Sequence, residues 1–93
     1  MRVMFKSFGQ LRRILGNQLV EVDVPEGSTV RNVIEKVIEL GGPELERYAM
    51  SGNRISGNLI LLLNKKDIDT LAGENTIIKA GDELAVLPHV QGG

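Results

Sequence analysis

The sequence predicts an α+β domain in which one long helix covers one face of a mixed sheet of about five strands, with additional short helices. Three observations lead there. Short stretches of alternating or continuous aliphatic residues recur through the chain, a single long stretch repeats its apolar residues at helical spacing, and that stretch lies between the strands rather than after them.

Taken in order, Arg2 to Phe8 alternates Val3 and Phe5 with Arg2, Met4 and Lys6, a strand pattern. Gly9 interrupts it. Leu11, Ile14 and Leu15 then fall at helical spacing, and Gly16-Asn17 stands where a short helix of about two turns would stop. Gln18 to Val24 sets Val20, Val22 and Val24 on one face and Leu19, Glu21 and Asp23 on the other, a half-buried strand. Pro25-Glu26-Gly27 ends it, and Ser28 or Thr29 is placed to cap a helix beginning just after them.

From Thr29 to Leu40, Val30, Val33, Ile34, Val37 and Ile38 follow the i, i+3, i+4, i+7, i+8 pattern of an amphipathic helix. Its apolar stripe is entirely β-branched, so its helicity depends on packing against the sheet. Gly41-Gly42-Pro43 is expected to terminate it. A loose extra turn is expected over Glu44 to Met50, and a mobile polar loop from Ser51 to Gly57.

Leu59 to Leu63 is an unbroken aliphatic run, read as a strand covered on both faces near the middle of the sheet. Asn64-Lys65-Lys66-Asp67 supplies turn residues, with a brief return strand beginning at Ile68. Thr76-Ile77-Ile78 is a further short extended piece. Ala80-Gly81-Asp82 turns the chain into the last strand, Glu83 to Leu87, and Pro88 is expected to take the chain out of hydrogen-bonded pairing.

A helix between sheet strands favours a right-handed crossover, which sets the first and last strands side by side, parallel, at the centre. That is the β-grasp, or ubiquitin-like, arrangement. Residues 1–88 would form the domain, and residues 89–93 a flexible tail projecting from it.

Composition narrows the function. With 93 residues, the chain suits one domain with one small core. Its 11 basic and 12 acidic residues are interspersed, so no basic face offers itself to nucleic acid or to an anionic membrane. Cysteine is absent, which excludes disulfides, thiolate metal sites and a thiol nucleophile. Met1 to Lys6 carries charges where a signal peptide needs an apolar run, and no stretch approaches the ~20 apolar residues of a membrane span. The expected location is the cytoplasm.

Few side chains invite chemistry. Asp82 and Glu83 are adjacent, and adjacent strand residues point to opposite faces, so they read as a turn and a strand start. Asp67 and Asp69 read as turn residues, Lys65-Lys66 as a solvated turn, and Gly41-Gly42 as a helix stop lacking the lysine and hydroxyl of a phosphate loop. His89 is read as a partner contact rather than a general base. No nucleophile and base pair or metal-ligand set can be assembled, so an independent enzyme is not expected. The aliphatic surplus of Leu59 to Leu63 predicts an apolar patch on the sheet face opposite the helix, a mark of protein interfaces.

The stretch that remains is Leu87-Pro88-His89-Val90-Gln91-Gly92-Gly93, where an apolar strand runs through a proline into two glycines. Val3-Met4-Phe5, Phe8-Gly9, Leu11-Arg12 and Gly16, with Leu62-Leu63-Asn64, resemble the opening and centre of the MoaD/ThiS group of ubiquitin-like sulfur carriers. Gly81-Asp82-Glu83-Leu84-Ala85-Val86-Leu87-Pro88, with Val90 and Gly92-Gly93, resembles its close. The short helix after the first strand and the proline before the tail bring the sequence nearer to the small subunit of molybdopterin synthase than to the thiamine carrier. The molybdopterin carriers usually have two prolines where this chain has Pro88-His89, and related carriers that also act as protein tags vary there.

The resemblance implies a carrier rather than an enzyme, with the Gly93 carboxylate as the reacting group. An adenylyltransferase of the ubiquitin-activating type would activate it with ATP, and a desulfurase or rhodanese would supply sulfur to form a thiocarboxylate. Leu87, Pro88, His89, Val90, Gln91 and Gly92 would contact partners, among them the large subunit of molybdopterin synthase. No cofactor or metal would be bound. The carrier would be a monomer alone and part of a heterotetramer with the large subunit. A ubiquitin-like modifier joined through Gly93 to lysines, and a non-catalytic β-grasp interaction module, are the alternatives.

Overall fold

A computed structural model of the protein describes residues 1–89. The chain runs β1 (Arg2–Ser7), α1 (Gly9–Leu15), β2 (Leu19–Asp23), α2 (Val30–Ala49), β3 (Met50–Ser51), β4 (Arg54–Ile55), β5 (Leu59–Leu63), β6 (Lys66–Asp67) and β7 (Glu83–Pro88). Two 3-10 turns, Ile68–Thr70 and Gly73–Asn75, lie between β6 and β7. Five strands form one sheet in the order β2-β1-β7-β5-β6, and β3-β4 is a separate small hairpin.

β1 and β7 occupy the centre and run parallel, with Phe5 opposite Leu84 and Ser7 opposite Val86. β2 is antiparallel to β1, and β5 is antiparallel to β7. This is the expected β-grasp topology. Alternation then decides what each face holds: Val3, Phe5, Val22, Leu61, Leu63, Leu84 and Val86 turn toward α2, where Val30, Val33, Ile34, Val37 and Leu45 meet them, all buried. Each fully buried aliphatic side chain contributes about 1.5–3 kcal/mol. Sheet and helix are therefore each other's main support.

The helix starts as its sequence demands. Thr29 Oγ1 accepts from Asn32 N–H at 3.3 Å, and Asn32 Oδ1 accepts in return from Thr29 N–H at 2.9 Å. Its far end is a break rather than a stop: Gly42 adopts φ 78°, ψ −167°, and helical structure resumes through Pro43 to Ala49. The proline is harmless there, since a first-turn residue needs no N–H partner. The predicted extra turn is thus a second helical segment, and it seats Leu45 in the core.

Three expectations are corrected. Ser51 to Gly57 is not wholly a loop, because Met50–Ser51 pairs with Arg54–Ile55 around Gly52, which has φ 62°. The return strand begins at Lys66 instead of Ile68: Asn64 and Lys65 both take positive φ, 50° and 73°, forming a two-residue turn. Asp67 Oδ1 then accepts from Asp69 N–H at 2.8 Å and coils Ile68–Thr70 into its 3-10 turn. Leu59 to Leu63 is covered fully on one face only, with Ile60 and Leu62 partly exposed on the other.

Gly41 is held small by its neighbour. A Cβ there would come within 2.7 Å of Leu45 Cβ, a side chain with no exposure of its own and no room to withdraw. Helix propensity alone would have Gly41→Ala stabilise the protein by about 1 kcal/mol. Overpacking should reverse the sign, lowering the unfolding free energy in urea by about 1 kcal/mol or more. A variant as stable as the parent would show that Leu45 yields.

Candidate functional site

The last strand ends at the centre of the sheet, and the surroundings of its final residues define the candidate site. Pro88 does not leave the ladder as expected. It lies opposite Leu59 as the final residue of β7, and beyond it His89 N–H donates to Asn58 O at 2.6 Å.

The reason is strand parity. Asn64 N–H donates to Glu83 O and His89 N–H to Asn58 O, so the odd-numbered residues of β7 direct their main-chain groups at β5. Pro88 therefore directs its nitrogen toward β1, whose pairing with β7 ends at Ser7 opposite Val86. The missing N–H removes no ladder bond. Gly9 closes the other side: a Cβ there would lie 3.3 Å from Pro88 Cγ, and its φ of 59° favours glycine independently.

Three of the seven predicted site residues are thus placed. Leu87 is partly exposed on the open face of the sheet, Pro88 rests between Gly9 and Leu59, and His89 is exposed just beyond the strand. Val90, Gln91, Gly92 and Gly93 lie outside the described residues. Gly9 and Asn58, which flank Pro88 and His89, were not among the predicted site residues. Gly9 had a signal in its position at the end of a strand, but Asn58 could be found only from the register of β5 against β7.

The face of the sheet away from α2 surrounds this root. Lys6 lies beside Ala85 and Ala85 beside Leu62, while Ile60 lies opposite Leu87 and Met4 beside Glu83. Met4, Ile60, Leu62 and Leu87 are partly exposed, and Leu19 on β2 is 52% exposed. Charged residues border this apolar strip: Arg2 pairs with Glu21 at 3.3 Å and with Asp23 at 3.7 Å, all well exposed, so they add little stability. The predicted apolar patch is present and reaches the tail root through Leu87. Lys6, Met4 and Ala85 belong to it, although the aliphatic surplus pointed only to β5.

The other polar candidates have structural roles. Asp82 accepts from Asn64 Nδ2 at 3.0 Å and from Lys79 N–H at 2.8 Å, closing the turn into β7. Asp67 opens the 3-10 turn. Arg31, on the first turn of α2, donates to Glu74 at 2.8 Å and to Asn53 O at 2.6 Å, tying the β3-β4 hairpin to the second 3-10 turn. The hydrogen bond to Glu74 is foremost in raising its pKa. Among the described residues no group of three or more acidic, histidine or cysteine side chains could hold a metal ion, and no helix is long and apolar enough to cross a membrane.

Comparison with known proteins bears on this site. A model of the ThiS family matches residues 6–93. The molybdopterin synthase sulfur carrier subunit of Drosophila erecta is 30% identical over 86 residues, spanning 92% of this chain and 84% of that one. The crystal structure of SAMP1 from Haloferax volcanii superposes with a TM-score of 0.87 at 28% identity over all of both chains. A chain of the Amycolatopsis orientalis BexX/CysO complex superposes with a TM-score of 0.81 at 25% identity, covering 98% of this chain and 99% of that one.

The open face contributes less to stability than the covered one. Leu62→Thr should cost about 1 kcal/mol, since a partly exposed side chain gains only part of its transfer energy on folding. Leu61→Ala, in the buried face of the same strand, should cost about 2–5 kcal/mol. Denaturation followed by far-UV circular dichroism separates them, and equal losses would contradict the assignment of the two faces.

Proposed function

The chain belongs to the ThiS family, and from that premise we propose that it is a sulfur carrier whose Gly93 carboxylate is adenylated and converted to a thiocarboxylate for molybdopterin synthesis. Its coarser character, a ubiquitin-like sulfur carrier of the ThiS/MoaD type, accords with both the family match and the fold. The observation that carries the finer reading is likeness across 92% of the chain to a molybdopterin synthase sulfur carrier subunit.

A carboxylate is a poor electrophile because its carbonyl carbon is electron-rich and oxide is a poor leaving group. Activation therefore comes first. In the proposed sequence a carboxylate oxygen of Gly93 attacks the α-phosphorus of ATP on an activating partner, pyrophosphate leaves, and an acyl-adenylate forms. A persulfide on a sulfur-donor protein then attacks the acyl carbon and AMP leaves. Cleavage of the sulfur–sulfur bond by a second donor thiol frees the Gly93 thiocarboxylate and leaves the donor as a disulfide.

In this scheme the chain holds the reacting group while its partners position it. Gly92 and Gly93 carry no Cβ and would pass a narrow channel. His89, held to Asn58, fixes where the tail departs. The apolar strip of Met4, Ile60, Leu62 and Leu87 would dock the activating enzyme and the large synthase subunit in turn, which accords with the partner implied by the relative's name and with the BexX/CysO complex.

A second reading has its own support: likeness to SAMP1, a small archaeal modifier protein, favours conjugation of Gly93 to lysines of other proteins. The two share the adenylate and diverge at the nucleophile.

Intact mass after incubation with an activating enzyme, ATP and a persulfide donor distinguishes them. Exchange of one oxygen for sulfur is expected, and isopeptide-linked adducts in cells would favour the modifier. Deleting Gly93 should abolish loading with almost no change in thermal stability. Undiminished loading of the truncated chain would refute the assignment of the reacting group.

A further inference from the structure

The sheet is incomplete beyond β5. β6 pairs with it only at Leu62 opposite Asp67 and Leu63 opposite Lys66, after which the chain coils away at Ile68–Thr70. Among the described residues, Leu59, Ile60 and Leu61 therefore have β7 on one side and no strand on the other. Since Asn58 O and Asn64 N–H face β7, the odd-numbered residues turn to the other side; the Leu59 N–H is taken there by Ser56 O at 3.2 Å, which leaves the Leu59 carbonyl and the Leu61 N–H directed to the unoccupied side.

A cavity of about 400 Å³ lies along that stretch, between the end of β4 and the 3-10 turn. Its apolar lining includes Ile55, Leu59 and Ile68, and its acidic lining is Asp67, Asp69 and Glu74, of which Glu74 is already paired with Arg31 at 2.8 Å, leaving the two aspartates without a basic side chain in the lining among the described residues. His89 stands at its mouth, so the groove adjoins the tail root. The acids do not form a metal site.

An occupant must satisfy main-chain groups, cover aliphatic surface and carry positive charge together. An extended peptide does the first by adding as a strand, and a lysine or arginine does the other two with its alkyl stem and cationic end. We propose that the groove beside Leu59–Leu61 receives an extended segment of a partner protein, bearing a lysine or arginine whose charged end lies beside Asp67 and Asp69. A partner engaged there is gripped next to the departing tail, whether or not Gly93 carries sulfur.

The test uses the isotopically labelled full chain titrated with the peptide acetyl-Thr-Val-Lys-Val-Thr-amide, its norleucine and glutamate counterparts, and N-acetyl-lysinamide. Amide shifts are expected at 55–61, 67–69 and 74, with the lysine peptide binding about tenfold tighter than the norleucine one, as one charge-assisted hydrogen bond provides. Asp69→Asn, in an exposed turn, should remove most of that difference. Equal affinity for the norleucine peptide, equal affinity for N-acetyl-lysinamide, shifts confined to other surfaces, or no binding at millimolar peptide would each overturn the proposal. Because no sulfur transfer is involved, the outcome is independent of the thiocarboxylate assay.

Discussion

The parallel pairing of β1 with β7, buried beneath α2, is the constraint on which the rest of the structure depends. A parallel pair cannot be joined by a tight turn, so everything between Ser7 and Glu83 serves as its connection. Because the two strands come from opposite ends of the described chain, the core closes only when the last of it arrives. Val3 and Phe5 need Leu84 and Val86 beside them, and both pairs need Val33 and Val37 above. The β-branched stripe of α2, a poor helix former by itself, is in turn stabilised by that surface.

The same pairing shapes the candidate site. With β7 in the middle, its neighbours on both sides shape the exit: Gly9 on the β1 side, and Asn58 with Leu59 on the β5 side. A tail leaving from an outer strand would have one such wall. The open face continues from this exit through Leu87 to Ile60 and Leu62, so a partner meeting the apolar strip also meets the root of the tail.

Much of this was legible in the residues because alternation and helical spacing report directly on burial. The valines of β2, the stripe of α2 and the aliphatic run of β5 each identified their element, and the order of elements pointed to the topology. The illegible parts depended on register. Pro88 reads as a break in any strand, and only the direction of its nitrogen, set by which residues of β7 face β5, shows that nothing is broken. Lys65 at positive φ carries no glycine to announce the two-residue turn, so the return strand was placed too late. The β3-β4 hairpin is too short for an alternation to show, and it is anchored by Met50 and Ile55 against the core and by Arg31, whose bond to Asn53 spans 22 residues. The candidate site was legible as a motif, while its walls were not.

The bond from His89 to Asn58 has a mechanical meaning. Tension applied to the chain from that point acts along β7, the central strand, and loads its pairings with β1 and β5 together in shear. Hydrogen bonds arranged across a pulling direction must slide as a group, whereas those at a peeled edge open one after another. A pull on His89 is therefore shared by both neighbouring strands at once instead of falling on a single edge.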